Sequence, residues 1–222
     1  MDLVNAYRST HGRLIDLESD LTADESSTTV TPTPAWSVKD AYAHLVGAID
    51  DILTGNLDGY GTNAWTAVHV TDRQSDSLGA ICREWCKRAP EFEKLLASTG
   101  DQYLGLVAGS WTHEQDIRGS IGLRGIRATG GMHATLEQVD EIGARIDATG
   151  IGALRVVTEG STWVLGVDPV GATLSTSEYE MARLVYGRRS IAQVRDMSWD
   201  GDPGPYLSVI GKYGLADSEI TD

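Results

Sequence analysis

The chain is 222 residues long, with 41% hydrophobic and 23% charged residues and a formal net charge of -14. That length allows one large domain or two small ones around a real hydrophobic core, and the excess of acid argues against a nucleic-acid partner, which needs clustered Lys and Arg. No apolar run approaches the ~20 residues that cross a bilayer, and the polar, acid-bearing N-terminus is not a secretory signal, so a cytoplasmic protein with no membrane partner is expected.

Leu3, Val4, Tyr7, Leu14, Leu17 and Leu21 recur at helical spacing and predict a first helix over residues 2–21. The Ser/Thr/Pro-rich stretch 24–34 predicts a loop. Ser37 then stands as an N-cap with Asp40 three residues later, where its carboxylate can reach back. A second helix opens there, runs through His44 towards Thr54 and ends near Gly55. Residues 59–63 read as a turn-rich connection. A third helix is predicted from Ser75 to about Arg88, burying Leu78, Ile81 and Trp85. Pro90 interrupts it, and a restarted helix carries Phe92, Leu95 and Leu96 to Gly100. Cys82 and Cys86 read as two half-buried thiols in a reducing compartment, with a metal pair or a regulated disulfide as the alternatives. A fourth helix covers residues 103–121 and ends at Gly122.

Gly130-Gly131 marks a break, and residues 135–148 predict a further helix stopped by Gly150. The period then changes. Residues 154–158 and 162–165 predict two short strands joined as a hairpin. A helix from Ser177 to about Tyr186, the turn Gly187-Arg188-Arg189-Ser190, a helix capped by Ser190 and reaching Met197, and one more short helix near 206–212 complete the chain. The expected architecture is mostly α. A four-helix bundle occupies residues 1–130, and a small α+β C-terminal domain occupies 131–222.

The stretch Trp111–Arg118 sets His113 and Asp116 three residues apart, on one helix face, with Ile117 and Ile121 supplying an apolar side. His44 has a similar setting on the second helix, and facing helices would bring the two imidazoles together. Zinc and similar metals take imidazole nitrogens and carboxylate oxygens, usually from three protein ligands when water must also bind. In helical bundles such ligands project inward. His44, His113 and Asp116 are therefore candidate ligands, with Asp116 alternatively orienting a bound water. Asp40 and Asp51, one turn before and two turns after His44, are further candidates. The plain alternative is that both histidines are hydrogen-bonded core residues. His11 and His69 read as exposed, His133 sits beside a glycine turn, and all three are taken as incidental. Arg188 and Arg189 suit a substrate carboxylate, or else pair with the nearby Glu178 and Glu180.

Taken together, these residues resemble a known family. Residues 34–40 followed by Ala43-His44-Leu45-Val46-Gly47 resemble the second-helix signature of the actinobacterial mycothiol-dependent maleylpyruvate isomerase family, within the DinB-like superfamily. Asp58-Gly59-Tyr60-Gly61, with Trp65 and Thr66, is similar to a connection found in many members. His113-Glu114-Gln115-Asp116-Ile117-Arg118 looks like the family's second histidine motif. The turn at 187–190 and Trp199-Asp200-Gly201-Asp202 resemble the C-terminal region of one large subgroup.

The resemblance covers most of the chain and implies a DinB-like four-helix bundle followed by a small C-terminal domain. It also implies a divalent metal, zinc first, that activates a low-molecular-weight thiol such as mycothiol by lowering its pKa. The thiolate would attack a small electrophilic substrate. In an isomerase it adds to a conjugated double bond, allows rotation and leaves; in an S-transferase it stays attached. The resemblance matches His44 to the family's first metal histidine and His113 to the last. The middle ligand, a Glu or His four residues earlier, falls on Gly109, which has no ligand atom. The site must then recruit Asp116, Asp40 or another group, bind metal weakly, or lack it. Two functions follow. One is a metal-dependent thiol enzyme with His44 and His113 as ligands, Asp116 as ligand or base, and Arg188 or Arg189 as an anion clamp. The other is a DinB-like protein whose degenerate metal site serves as a binding module for a small molecule or a protein. A monomer and a homodimer are equally compatible with either.

Overall fold

A computed structural model describes residues 1–222. The protein is mostly α with a small C-terminal α+β part, as its sequence pattern leads one to expect. It divides into two compact units, Met1–Gly125 (with the terminal Asp222) and Ile126–Thr221. No helix is long and apolar enough to cross a membrane.

The first unit contains α1 (Leu3–Asp20), α2 (Ala23–Ser26), α3 (Val38–Thr54), α4 (Asn63–Asp72), α5 (Leu78–Thr99) and α6 (Leu104–Ser120). Its bundle is built from α1, α3, α5 and α6, in which α1 and α3 each pack on both α5 and α6. The start of α3 is set by reciprocal bonds. Ser37 Oγ accepts from the Asp40 amide at 3.2 Å while the Ser37 amide donates to Asp40 Oδ2 at 2.9 Å, a cap worth about 1 kcal/mol. The same helix ends at Gly55, whose φ of 77° is the left-handed conformation that favours glycine.

Tyr7, Tyr42, Trp85, Phe92 and Trp111 fill the core of the bundle. The polar atoms of three of them are paired as burial requires: Trp85 Nε1 donates to Tyr7 Oη at 2.8 Å, and Tyr42 Oη donates to the Leu14 carbonyl at 2.7 Å. Glu114, fully buried on α6, receives Arg13 of α1 through two bonds at 2.7 and 2.5 Å and Arg118 at 3.2 Å. One carboxylate thus ties two helices of the bundle together.

Three local expectations change in this unit. The short α2, with Thr22 and Glu25 as a complete capping box, lies at the start of the expected loop. The connection after α3 holds a whole helix, α4, capped by Thr62 and burying only Trp65 and His69. Two buried positions make too short an apolar period to read from sequence. Finally, α5 runs unbroken through Pro90. The proline removes one hydrogen bond, but Ile81, Trp85, Phe92 and Leu96 bury a continuous face on both sides of it.

The second unit comprises α7 (Gly130–Leu136), α8 (Asp140–Thr149), β1 (Ala153–Val157), β2 (Thr162–Leu165), β3 (Val170–Ser175), α9 (Glu178–Val185), α10 (Ile191–Arg195) and β4 (Ser198–Asp200). The sheet order is β2-β1-β3-β4. The expected hairpin is there, with Val156 opposite Trp163, and β3 lies parallel to β1 with Leu174 beside Val156. One face of β1 and β2 is covered by α8, and α7 packs on α9.

The expected helix over 135–148 is two helices, because Thr129 caps α7 and makes Gly130-Gly131 a helix start instead of a break. Neither β3 nor β4 was expected. Only Ala172 and Leu174 of β3 are buried, and β4 has three residues, so neither carries a strong alternating signal. The expected helix near 206–212 is reduced to a single 3-10 turn, Gly204–Tyr206. Beyond it Gly211 packs closely on the Gly187 backbone, and the chain turns at Gly214 with φ 82°.

Candidate functional site

Three histidines from three different helices of the first unit meet: His44 of α3, His69 of α4 and His113 of α6. His44 Nδ1 and His69 Nδ1 are 3.1 Å apart. The other nitrogen of His69, Nε2, lies 2.9 Å from Asp51 Oδ2, two turns beyond His44 on α3. The His113 ring stands edge-on to that of His44, with centroids 5.3 Å apart. His69 is buried, and His44 and His113 are half-buried.

The close approach of α4 to α3 depends on Gly47. A Cβ there would lie 2.5–2.6 Å from Cβ, Cγ and Cδ2 of His69, so only glycine leaves room for this imidazole. Aromatic rings complete the surroundings. Trp36 packs 4.9 Å from the His44 ring and 5.9 Å from that of His113. Trp65 packs 4.2 Å from His69 and 6.3 Å from His44, with Tyr60 beside it at 4.9 Å. Burial pushes the His69 imidazole below its ordinary pKa, and the bond to Asp51 offsets only part of this.

The expected metal ligands occupy this region without forming a metal site. His44 and His113 face each other, but Asp116 Oδ2 is 3.5 Å from His113 Nδ1, and that buried nitrogen has no hydrogen-bond partner. Asp40 is engaged in the α3 cap, and Asp51 accepts from His69 and from Asn56 Nδ2 at 2.9 Å. Gly109 supplies nothing, and a Cβ there would meet open space. No group of three or more His, Cys, Asp and Glu side chains is arranged to hold a metal ion. As they stand, these residues do not fit a three-ligand metal centre.

Of the remaining histidines, His69 corrects the sequence reading most directly: it is buried in the cluster, not exposed. The pair Trp65 and His69, one turn apart, and the spacing of His44 to Gly47 were the signals that could have found it. His11 is also not exposed. It stacks on Tyr7 at 5.9 Å and packs tilted against Trp85 at 4.9 Å, and its pKa is lowered by burial. His133 is exposed on α7. The two cysteines differ from each other instead of both being half-buried. Cys82 is buried, with its thiol pushed up to about 12 chiefly by desolvation, whereas Cys86 is exposed, and neither forms a disulfide.

Arg188 and Arg189 belong to the second unit, where both are buried. Arg189 holds Glu180 through bonds of 2.6 and 2.9 Å, and Arg188 Nη1 donates to the Tyr186 carbonyl at 2.9 Å. The pairing of Arg189 with a local glutamate is the structural alternative raised by the sequence.

A helical bundle with an inward cluster of imidazoles, followed by a small mixed sheet, is the class of architecture to which the chain conforms. Among solved structures, that of mycothiol-dependent maleylpyruvate isomerase matches with a TM-score of 0.56 at 12% identity, over 84% of this chain and 88% of the other. A histidine-to-alanine mutant of the same enzyme matches with a TM-score of 0.55 at 12% identity, with the same coverage. These likenesses show a distantly shared fold. No protein-family model and no curated protein sequence matches the chain.

Proposed function

We propose that this protein is a thiol-using enzyme of the isomerase or S-transferase kind, acting on a small conjugated electrophile. The observation that carries this reading is the convergence of His44, His69 and His113 between Trp36 and Trp65, on a fold shared with a mycothiol-dependent isomerase. Mycothiol is the first thiol to test, since the isomerase of like fold depends on it.

The chemistry uses this chain's own groups. His44 takes the proton of the bound thiol, because the thiolate and not the thiol is the nucleophile. The thiolate adds to one carbon of the conjugated double bond, and the electron pair moves to the substrate's carbonyl oxygen as an enolate. The half-buried His113 ring, edge-on to that of His44, would hold that oxygen. Rotation about the new single bond, followed by return of the electrons and departure of the thiolate, gives the isomer. Protonation of the enolate instead gives the thioether of an S-transferase. Trp36 and Trp65 offer flat faces to a planar conjugated substrate and reduce access of water.

The test is to supply mycothiol with maleylpyruvate and with a panel of small conjugated electrophiles, following isomerisation and thioether formation. Turnover that is abolished in His44→Ala supports the proposal. Failure to turn over or add thiol to any of them sinks it. The second reading, a binding module built on the same fold, is favoured by Gly109 and by the absence of a three-ligand group. It predicts saturable binding of such compounds without reaction.

A further inference from the structure

We propose that the first turn of α4, together with the connection 55–62 before it, is a lid over the histidine cluster that swings away to admit substrate and thiol, with Trp65 as its latch. The purpose of the opening rests on the thiol-enzyme reading; the uneven anchoring that permits it does not.

The cluster is closed as it stands. The ring of Trp36 is 4.9 Å from that of His44 and 5.9 Å from that of His113, while His44 and His113 are 5.3 Å apart. On the other side Trp65 is 4.2 Å from His69 and 6.3 Å from His44. Rings whose centroids lie within about 7 Å are in direct contact. A planar conjugated molecule keeps its carbons about 3.5 Å or more from those of a neighbouring ring. It enters the cluster only if one wall withdraws by about that distance.

Most of the walls are fixed. His44 and His113 stand on α3 and α6, two helices of the bundle. Trp36 lies in a tied segment: its amide donates to the Thr33 carbonyl at 2.8 Å, its carbonyl accepts from the Val30 amide at 2.8 Å, and the Val38 amide donates to the Thr28 carbonyl at 2.9 Å. Helix α4 is the wall outside the bundle, and it is attached unevenly. From His69 onward it is anchored. His69 Nε2 is 2.9 Å from Asp51 Oδ2 of α3. Arg73 grips both carboxylate oxygens of Glu84 on α5, and Lys39 Nζ of α3 donates to the carbonyls of Gln74 and Asp76 at 2.8 and 3.0 Å. Before His69 the picture changes. Residues 54–64 are all exposed, and Trp65 is the first buried side chain after Ile52. Its indole N–H reaches the Asn56 carbonyl at a long 3.4 Å. Gly59 and Gly61, with φ of 71° and 76°, let the connection change its backbone angles without a Cβ in the way. The segment 55–66 therefore moves most easily, and Trp65 is the side chain that holds it shut.

The test measures distances by electron spin resonance on the full chain, with Cys86→Ser removing the exposed native thiol. One spin label is placed at Glu91→Cys on α5. The second is placed at Ala64→Cys on the lid or at Asp72→Cys on the anchored end, all three positions being exposed. Trp65→Ala should broaden the Ala64 distance and shift it by about 3.5 Å or more, while the Asp72 distance stays as in the parent. Trp65→Phe should keep both at parent values. An Ala64 distance unmoved by Trp65→Ala overturns the inference, because the lid then needs no latch. An Asp72 distance that moves with it overturns it as well, because α4 then shifts or unfolds as a whole. These readouts need no substrate, so they fail or succeed independently of thiol turnover. With turnover in hand, Trp65→Ala should lower kcat about tenfold or more, since an open lid no longer holds the reacting groups together, and Trp65→Phe should recover most of it. An unchanged kcat in Trp65→Ala refutes the closing role.

Discussion

Changing Gly47 to alanine puts two opposing effects into one methyl group. In a helix interior the substitution by itself favours folding by about 1 kcal/mol. Here, however, the new Cβ would stand 2.5–2.6 Å from the stem of the His69 ring, and ordinary contact begins near 3.4 Å. The imidazole must retreat by about 0.9 Å, a shift that neither its 3.1 Å bond to His44 nor its 2.9 Å bond to Asp51 can absorb together within the normal range of hydrogen bonding. Overpacking of this kind costs about 1–3 kcal/mol, and a buried hydrogen bond left unmade adds about 1 kcal/mol more. The crowding outweighs the helix preference, for a net loss of about 1–3 kcal/mol. At about 2–4 °C per kcal/mol for a chain of this size, Tm should fall by several degrees. Gly12→Ala in α1 is the control, since nothing lies within 4 Å of its new Cβ, and it should raise Tm slightly. Calorimetry and the histidine NMR spectrum measure both consequences. A Gly47→Ala protein with Tm equal to or above that of the parent, and unmoved His44 and His69 signals, would refute the claim that Gly47 exists to admit His69.

Further outcomes follow from other parts of the first unit. Glu114→Ala leaves the guanidinium groups of Arg13 and Arg118 without their shared carboxylate and should cost about 3 kcal/mol in urea unfolding; a loss below about 0.5 kcal/mol would mean that the triad is not a structural tie. Gly109→Glu places a carboxylate one helical turn before His113, with open space for its first carbon. Calorimetric titration with zinc should show tighter binding than in the parent, and equal affinity would show that this face of α6 does not look onto the histidines. His11 has its pKa lowered by burial, so the unfolded chain binds its proton first as pH falls. The stability it contributes is complete above the unfolded value of about 6.5 and declines as pH drops from there towards the folded value. His11→Gln should therefore make Tm less dependent on pH between 7 and 5, whereas an unchanged slope would contradict the assignment.

Much of the bundle was legible because its signals are local. Ser37 with Asp40 marks the start of α3, Gly55 its end, and Leu3, Tyr7, Leu14 and Leu17 form the buried stripe of α1. The hairpin of β1 and β2 was visible in the same way, through alternation on either side of a Gly-containing turn. Elements held by a few long-range contacts were not. Helix α4 buries two residues, and β4 is three residues long and exists because β3 offers it an edge. Pro90 shows the converse, since a strong local breaker is overridden by a face that buries Trp85 before it and Phe92 after it.

At the candidate site, the sequence pattern picked out His44 and His113, because each stands in an apolar helical setting, and the family resemblance singled out Gly109 as a position with no ligand to offer. Helical periodicity determines which face of its own helix a side chain occupies. What it does not determine is which residue of another helix comes to meet that face. Only the tertiary structure brought His69 against His44 and joined it to Asp51, since that contact depends on the packing of α4 against α3 at Gly47. His44, a candidate ligand in the sequence, stands in the folded protein in line with His69 and the Asp51 carboxylate, because the distances between elements and not their order decide which nitrogen meets which partner.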